Sequence, residues 1–316
     1  MESPVLFLLF NRPDLASRVF EAIRAAQPPR FYIAVDGPRE GRDEERAAVE
    51  ECREFANLVD WPCEVKTLFR DENLGCGRAV SEAISWFFSH EEEGIILEDD
   101  CLPNPDFFQF CDGCLERFRD ELSIVHVGGD LSLKFSGNSP ESPFFSKYTP
   151  VWGWATWRRA WNNYEFTLTD WRKDPEVSAG IRAHLDSQQA FRFWSSIFDQ
   201  MADGLVDTWD YQLTYSAFVN RGLSVMPPVN LISNIGFDPR ATHTRNEEGP
   251  RSEFPSGSLS VEWKFPTKLV PDDRLDKLFE EQYFGIRPAW VQFFTRFQNF
   301  GIRLFSKVKR RLPGHS

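Results

Sequence analysis

Three adjacent carboxylates, Glu98, Asp99 and Asp100, stand directly behind the apolar run Ile95-Ile96-Leu97 in the stretch GIILEDDCLPNPDFF (94–108). A buried strand that ends on three negative charges repels itself unless a positive charge sits among them. A hard divalent cation such as Mg²⁺ or Mn²⁺ takes oxygen ligands, needs few protein carboxylates and bridges readily to diphosphate oxygens. It also neutralises a leaving diphosphate. A solvated acidic loop is the competing reading of any such triplet, and position separates the two, because this triplet closes a strand. In extended backbone Glu98 and Asp100 fall on one face and Asp99 on the other, an alternation that loosens once the strand ends.

The elements that must carry this triplet are legible around it. PVLFLLFNRPD (4–14) reads as a strand, a loop and the start of a helix through Val19, Phe20 and Ile23. FYIAVDGPREG (31–41) repeats the design, with a strand ending at Asp36-Gly37 and an acidic, Arg-rich helix from about Asp43 to Phe55. CEVKTLFRDENLGCGRAVSEAISWFF (63–88) repeats it again, and EEGIILEDD (92–100) supplies the fourth strand. Four such repeats predict a doubly wound, mostly parallel α/β sheet. In sheets of this kind ligands bind beyond the carboxyl ends of the strands. Asn11-Arg12, Asp36-Gly37, Asn73-Leu74-Gly75 and the acidic triplet all fall there. No G-x-G-x-x-G follows the first strand and no G-x-x-x-x-G-K-[ST] occurs, so phosphates must be held some other way.

Beyond residue 120 the rhythm loosens. SIVHVGGD (123–130) reads as a strand, a Ser/Pro/Gly stretch (136–143) as loop, and VMPPVNLISNIG (225–236) as one late strand with a proline-bearing start. From about residue 245 the chain turns polar and rich in breakers. The expected division is 1–245 as catalytic domain, 246–287 as a polar extension and 288–316 as a basic amphipathic helical tail.

IILEDDCLPNPDFFQF resembles the metal-binding segment of the GT-A glycosyltransferases. The likeness is nearest to N-acetylglucosaminyltransferase I and its protein O-mannose relatives, where a Glu-Asp-Asp form of the D-x-D motif precedes Pro-Asp-Phe-Phe. NRPD at the first strand end, the Asp36 strand end, the Trp-Gly-Trp region and Trp209-Asp210 follow in the same order, so the resemblance covers roughly residues 4–245. It implies a GT-A fold and a metal-dependent, inverting glycosyltransferase that draws on a nucleotide-diphosphate sugar. Asp100 would coordinate the metal, Asp99 would contact the ribose or the metal's water shell, and Glu98 would orient the segment. Asp36 would accept from a uracil ring, which favours a UDP-sugar, and Arg12 would lie near the nucleotide. Asn73-Leu74-Gly75 with Arg78 is similar to a motif of sugar-nucleotide transferases in which the arginine approaches the diphosphate. A planar guanidinium grips phosphate oxygens through two hydrogen bonds, although Arg78 also suits a helix surface.

Inverting transfer needs a base for the acceptor hydroxyl, and a carboxylate within hydrogen-bond reach suits that task. GLVDTWDYQLTYSAF (204–218) offers Asp207 and Asp210 ahead of a helical pattern. The resemblance selects Asp210, with Asp207 next; a helix cap is the structural reading of Asp210. In PVWGWATWRRAW (150–161) tryptophans are expected mainly in the core, with Trp154 the candidate wall for a sugar's C–H face. His243 is placed by the resemblance as a possible metal or phosphate contact.

A formal net charge of −12 argues against nucleic-acid binding through the general surface. Six cysteines without a disulfide-framework spacing, and no leading charged-then-apolar segment, give a cytoplasmic expectation. Cys111-Asp112-Gly113-Cys114 lacks a second pair at zinc-finger spacing and reads as structural. No apolar run approaches the ~18 residues of a membrane span. Residues 288–312 nevertheless pair an aromatic helical spacing with Arg296, Arg303, Lys307, Lys309, Arg310 and Arg311, the composition of an interfacial helix drawn to anionic lipid. A helix docked on the domain with a basic end is the alternative. The eukaryotic relatives carry a Golgi anchor and stem that this sequence does not show. Their glycoprotein acceptor is therefore not carried over, and a glycan or lipid-linked acceptor is expected instead. Two other classes compete: a nucleotidyltransferase, which usually carries a Gly-rich phosphate loop where this chain has NRPDLAS, and a non-catalytic sugar-nucleotide binder.

Overall fold

A computed structural model of the chain describes residues 1–237, 254–259 and 263–286. Its first hundred residues run β1 (Val5–Leu9), α1 (Pro13–Ala26), β2 (Arg30–Val35), α2 (Asp43–Arg53), β3 (Glu64–Phe69), α3 (Gly75–His90) and β4 (Glu93–Glu98). Along β1, Val5, Phe7 and Leu9 enter one core while Leu6 and Leu8 enter another. β2 divides in the same way, with Phe31, Ile33 and Val35 on one side and Tyr32 and Ala34 on the other. Strand side chains alternate in direction, and a sheet covered by helices on both faces needs both sets apolar. That requirement explains the continuous hydrophobic runs in the sequence. Helices α1 and α2 cover the first face through Ala16, Val19, Val49 and Cys52, and α3 covers the second through Ala83, Ile84 and Phe87.

The chain continues through β5 (Cys101–Pro103), α4 (Pro105–Arg117), β6 (Ile124–Gly128), β7 (Phe144–Ser146), β8 (Trp154–Trp157) and the short α5 (Arg158–Trp161). Then come α6 (Pro175–Leu185), α7 (Gln188–Ala202), α8 (Asp210–Val219), β9 (Leu223–Met226), β10 (Ile232–Asn234) and α9 (Asp273–Leu278). The main sheet has the order β3-β2-β1-β4-β8-β6-β9-β7. Its first four strands are mutually parallel. β8 runs antiparallel to both β4 and β6, β9 runs parallel to β6, and β7 closes the edge antiparallel to β9. The architecture is therefore mixed α/β with a large, mainly parallel sheet. Winding proceeds outward from β1 to β3 and then returns across β1 to β4, which leaves a switch point at the carboxyl ends of β1 and β4.

Residues 225–236 do not form one strand. β9 ends at Met226, and the chain restarts as β10 in a separate two-stranded ladder with β5. Pro227-Pro228 supplies the reason, since proline has no N–H to continue a ladder. Cys111 and Cys114 are fully buried on α4 with free thiols. Among the described residues no helix is long and apolar enough to cross a membrane.

The described parts of 246–287 pack on the body. Leu259 N–H donates to Asp106 Oδ2 at 2.7 Å, the Trp263 ring lies 5.4 Å from that of Phe110, and Leu275 and Phe279 are buried. α9 is pinned by Asp276, whose carboxylate accepts from Ser146 Oγ at 2.6 Å and from Lys147 N at 3.3 Å. Burial raises the Asp276 carboxyl from its ordinary 3.8 to about 7, against the pull of these donors. A folded-state value above the unfolded one means that folding retains a proton. The contribution to stability is complete below about pH 4 and is lost as pH rises through about 7. The thermal midpoint should thus fall between pH 5 and pH 8, and Asp276→Asn should lessen that fall; an unchanged pH dependence in the variant would exclude this carboxyl as its source.

Candidate active site

The acidic triplet is fixed from both sides. β1 aligns Leu8 with Glu98, so Glu98 ends a central strand that β1 holds to its last residue. Downstream, Cys101–Pro103 pairs with Ile232–Asn234, and Ile235 N–H donates to the carbonyl of Asp100 at 2.8 Å. The residues that follow start a helix: the Asn104 side chain accepts from Asp106 N–H at 2.9 Å, Pro105 occupies the first turn, and Phe107 and Phe108 are buried. N-P-D-F-F is thus a capped helix start that anchors the triplet to the core.

Arg12, just past β1, answers the clustered charge. Its Nη2 donates to Asp99 Oδ1, closely, and to Asp100 Oδ2 at 2.9 Å. The turn after β4 therefore brings Asp99 and Asp100 to one cation, and strand alternation no longer holds there. Burial works against the guanidinium charge, but Asp99 and Asp100 outweigh it and hold Arg12 above its ordinary value. One cation does not balance three acids. Burial first, then the charges of Asp100 and Asp99, push the Glu98 carboxyl well up; burial likewise raises Asp99 despite Arg12. Asp210 is near enough to add to the repulsion felt by Glu98.

These groups line a cavity of about 360 Å³ at the switch point, a size suited to a small-molecule ligand. Its lining includes Asp36 and Asn73, Arg12 and the acidic triplet, and Trp152, Trp209 and Asp210. Asp36 is buried, and it accepts from Asn73 Nδ2 at 2.8 Å and from Leu74 N–H at 3.1 Å. Burial lifts its carboxyl above the ordinary value, against these N–H donors. Asp210 opens α8 and accepts from the hydroxyl of Thr208. Cys76 also lines the cavity, but burial followed by the charge of Glu98 keeps its thiol protonated.

Of the residues singled out in the sequence, Arg12, Asp36, Glu98, Asp99, Asp100 and Asp210 meet in this one cavity. Two do not. Trp154 is buried in the core, stacked between His126 at 5.5 Å and Trp209 at 5.6 Å, so it backs a cavity wall instead of forming one. Trp152 and Trp209 are the indoles at the cavity. Arg78 sits on the exposed face of α3, with its guanidinium over the Phe166 ring at 5.8 Å, and is not among the cavity residues. Residues 76, 79 and 80 turn toward the cavity, and Arg78 points elsewhere because each helical residue advances about 100°. His243 lies outside the described residues, as does the basic stretch 288–316.

The carboxylates offer the hard oxygen donors that Mg²⁺ or Mn²⁺ requires. Among the described residues no group of three or more ligating side chains is arranged to hold an ion alone. Asp100, the more exposed of the two acids on Arg12, could offer an oxygen to a divalent ion.

No protein-family model and no curated protein matches the chain. Among solved structures it is similar to the inositol-1-phosphate CTP transferase from T. maritima at 11% identity and a TM-score of 0.39, covering 72% of this chain and 85% of that one. It is also similar to S. aureus TarS 1–349, at 9% identity and a TM-score of 0.37, covering 72% and 58%. A third likeness is to a UDP-glucose pyrophosphorylase complexed with UDP-glucose, at 10% identity and a TM-score of 0.35, covering 72% and 90%. Likenesses at this level assign neither family nor activity, and the functional reading rests on the site.

Proposed function

We propose that this chain is a metal-dependent, inverting glycosyltransferase of the GT-A type, moving a sugar from a nucleotide-diphosphate sugar, with UDP-sugars favoured, to a glycan or lipid-linked acceptor. The observation that carries the reading is the cavity lined both by an acidic strand end, Glu98-Asp99-Asp100, and by a separate carboxylate, Asp210.

Each group then has a task that its position permits. Asp36 and Asn73 lie where a base edge would be read, and the raised proton affinity of Asp36 suits an acceptor of a ring N–H. Arg12 holds Asp99 and Asp100 in place and can share its remaining N–H groups with phosphate oxygens. A divalent ion held at Asp100 would supply charge neutralisation of the departing diphosphate. Trp152, half-buried at the cavity, offers apolar surface on which a sugar's C–H groups can pack, and Trp209, buried and stacked on Trp154, backs it. Asp210 takes the proton of the acceptor hydroxyl as the bond to the sugar forms. The proposal extends to contact with an anionic membrane surface through 288–316, on the composition of that stretch alone.

The test is to incubate the full chain with a panel of nucleotide-diphosphate sugars, with Mn²⁺ or with chelator, and to assay the products. Release of nucleoside diphosphate, lost with chelator, is the expected result. Pyrophosphate release from a nucleoside triphosphate plus sugar phosphate would make the chain a nucleotidyltransferase instead. Metal-dependent binding with no turnover would make it a sugar-nucleotide binder.

A further inference from the structure

Asp207, the second acid of the GLVDTWD stretch, is not presented to the cavity as a free base. Its Oδ2 accepts from Cys76 N–H at 3.1 Å and its Oδ1 from Gly77 N–H at 2.9 Å. These are first-turn amides of α3, groups that no residue within the helix can satisfy. α3 has no local side-chain cap, since Leu74 stands at that position. Asp207 therefore supplies the missing cap from 131 residues away.

The approach is close enough to dictate the sequence on the other side. A Cβ on Gly75 would lie 2.7 Å from Asp207 Oδ2, and one on Gly77 would lie 2.7 Å from Asp207 Oδ1 and 2.8 Å from the carbonyl oxygen of Thr208. Gly75 also has φ +78°, which favours glycine. Both glycines of L-G-C-G are thus accounted for by the loop that presses on them. Just upstream, Leu74 N–H donates to Asp36. The start of α3 is held between two carboxylates, Asp36 at the base-reading end and Asp207 at the Asp210 end.

From this geometry we infer that Asp207 is a positioning residue: by clamping loop 205–210 to the first turn of α3 it sets the distance between Asp210 and the donor-binding half of the cavity. The inference rests on the glycosyltransferase reading for its catalytic consequence and on the hydrogen bonds alone for the clamp. Only Thr208 and Trp209 separate the clamp from Asp210, and the Thr208 hydroxyl bonds the Asp210 carboxylate. Small misplacements of a reacting group are expensive in rate while leaving ground-state binding nearly intact.

The experiment compares wild type with Asp207→Asn, Asp207→Ala and Gly77→Ala by steady-state kinetics and by hydrogen exchange of peptides covering 75–80 and 205–212. Gly77→Ala keeps the Asp207 carboxylate and its charge but pushes it and the loop away sterically, so it tests position apart from charge. The expected result is faster exchange in both peptides for Asp207→Ala and Gly77→Ala, with kcat down by about 10- to 10²-fold and donor KM within about twofold. Asp207→Asn, which keeps one acceptor, should fall between these variants and wild type, with the pH profile of kcat unchanged. Unaltered exchange in 205–212 would overturn the clamp, and faster exchange with unchanged kcat would overturn its role in positioning. Loss of the pH dependence in Asp207→Asn would make Asp207 the base itself. If wild type turns over no nucleotide sugar, the glycosyltransferase reading fails, and with it the catalytic half of this inference, while the exchange data decide the clamp on their own.

Discussion

Asp210→Asn should bind donor and metal as wild type does and lose transfer by about 10²- to 10⁴-fold, the span expected for removal of a general base. The substitution is nearly isosteric. An asparagine Oδ1 still accepts from Thr208, so the first turn of α8 and the indole of Trp209 beside it stay in place. What disappears is the lone pair able to take a proton. Binding should be unaffected because the donor's nucleotide half is assigned to other residues, Asp36, Asn73 and Arg12. Single-turnover transfer to an authentic acceptor, set beside calorimetric titration with a nucleoside diphosphate, separates the two effects. Turnover within a few-fold of wild type would move the base away from Asp210. Asp207 is then the poorer replacement, because both of its oxygens are engaged by α3 amides.

The half of the site that could be read from sequence is the half built by short-range signals. A strand buried on both faces shows as a continuous apolar run, and its end shows as the first charged residue. The carboxyl ends of β1, β2 and β4 were for that reason marked by Arg12, Asp36 and Glu98-Asp99-Asp100. Their convergence follows from the parallel pairing of β2, β1 and β4, which puts these strands' carboxyl ends at one edge of the sheet. The other half depends on pairings that no local pattern encodes. β8 inserts antiparallel between β4 and β6 and begins at Trp154, which lies in the core under Trp209; Trp152 precedes the strand, and Gly153, at φ +60°, turns the chain between them, so Trp152 is left at the cavity. An indole-rich stretch has the same composition whichever of its members is exposed.

Arg78 and Asp207 fail to read from sequence for related reasons. A one-residue step on a helix changes the face by about 100°, so a strand-to-helix loop whose exact end is unknown leaves the direction of Arg78 open. A cap contributed by Asp207 across 131 residues leaves no mark near α3 except its two glycines. Those glycines were the available signal, because a helix that starts on Gly-Cys-Gly without a Ser, Thr, Asp or Asn cap must find its acceptor elsewhere.

Asp100→Ala should abolish the dependence of donor affinity on Mn²⁺, weakening metal-supported binding by about 10²-fold or more, since a cation bridging carboxylate and diphosphate contributes several kcal/mol. The fold should survive. Asp100 is one of three neighbouring acids facing one guanidinium, and Arg12 keeps its bond to Asp99 when Asp100 is removed. Deleting one charge also relieves the repulsion that raises the proton affinities of Glu98 and Asp99. The thermal midpoint without ligand should therefore equal or exceed that of wild type, whereas the upward shift on adding nucleoside diphosphate with Mn²⁺ should shrink to the shift seen with chelator. Loss of the fold would give the opposite pattern, a lower midpoint without ligand. A variant that keeps the full Mn²⁺-dependent shift would place the ion away from Asp100. Because Arg12 spans Asp99 and Asp100, the arrangement makes one more demand: a cation arriving at Asp100 competes with Arg12 for the same oxygen. Metal should accordingly bind weakly by itself and strongly only with a diphosphate, whose oxygens ligate the ion and accept the N–H groups that Arg12 gives up. Titrating Mn²⁺ in the absence and in the presence of nucleoside diphosphate measures that difference directly.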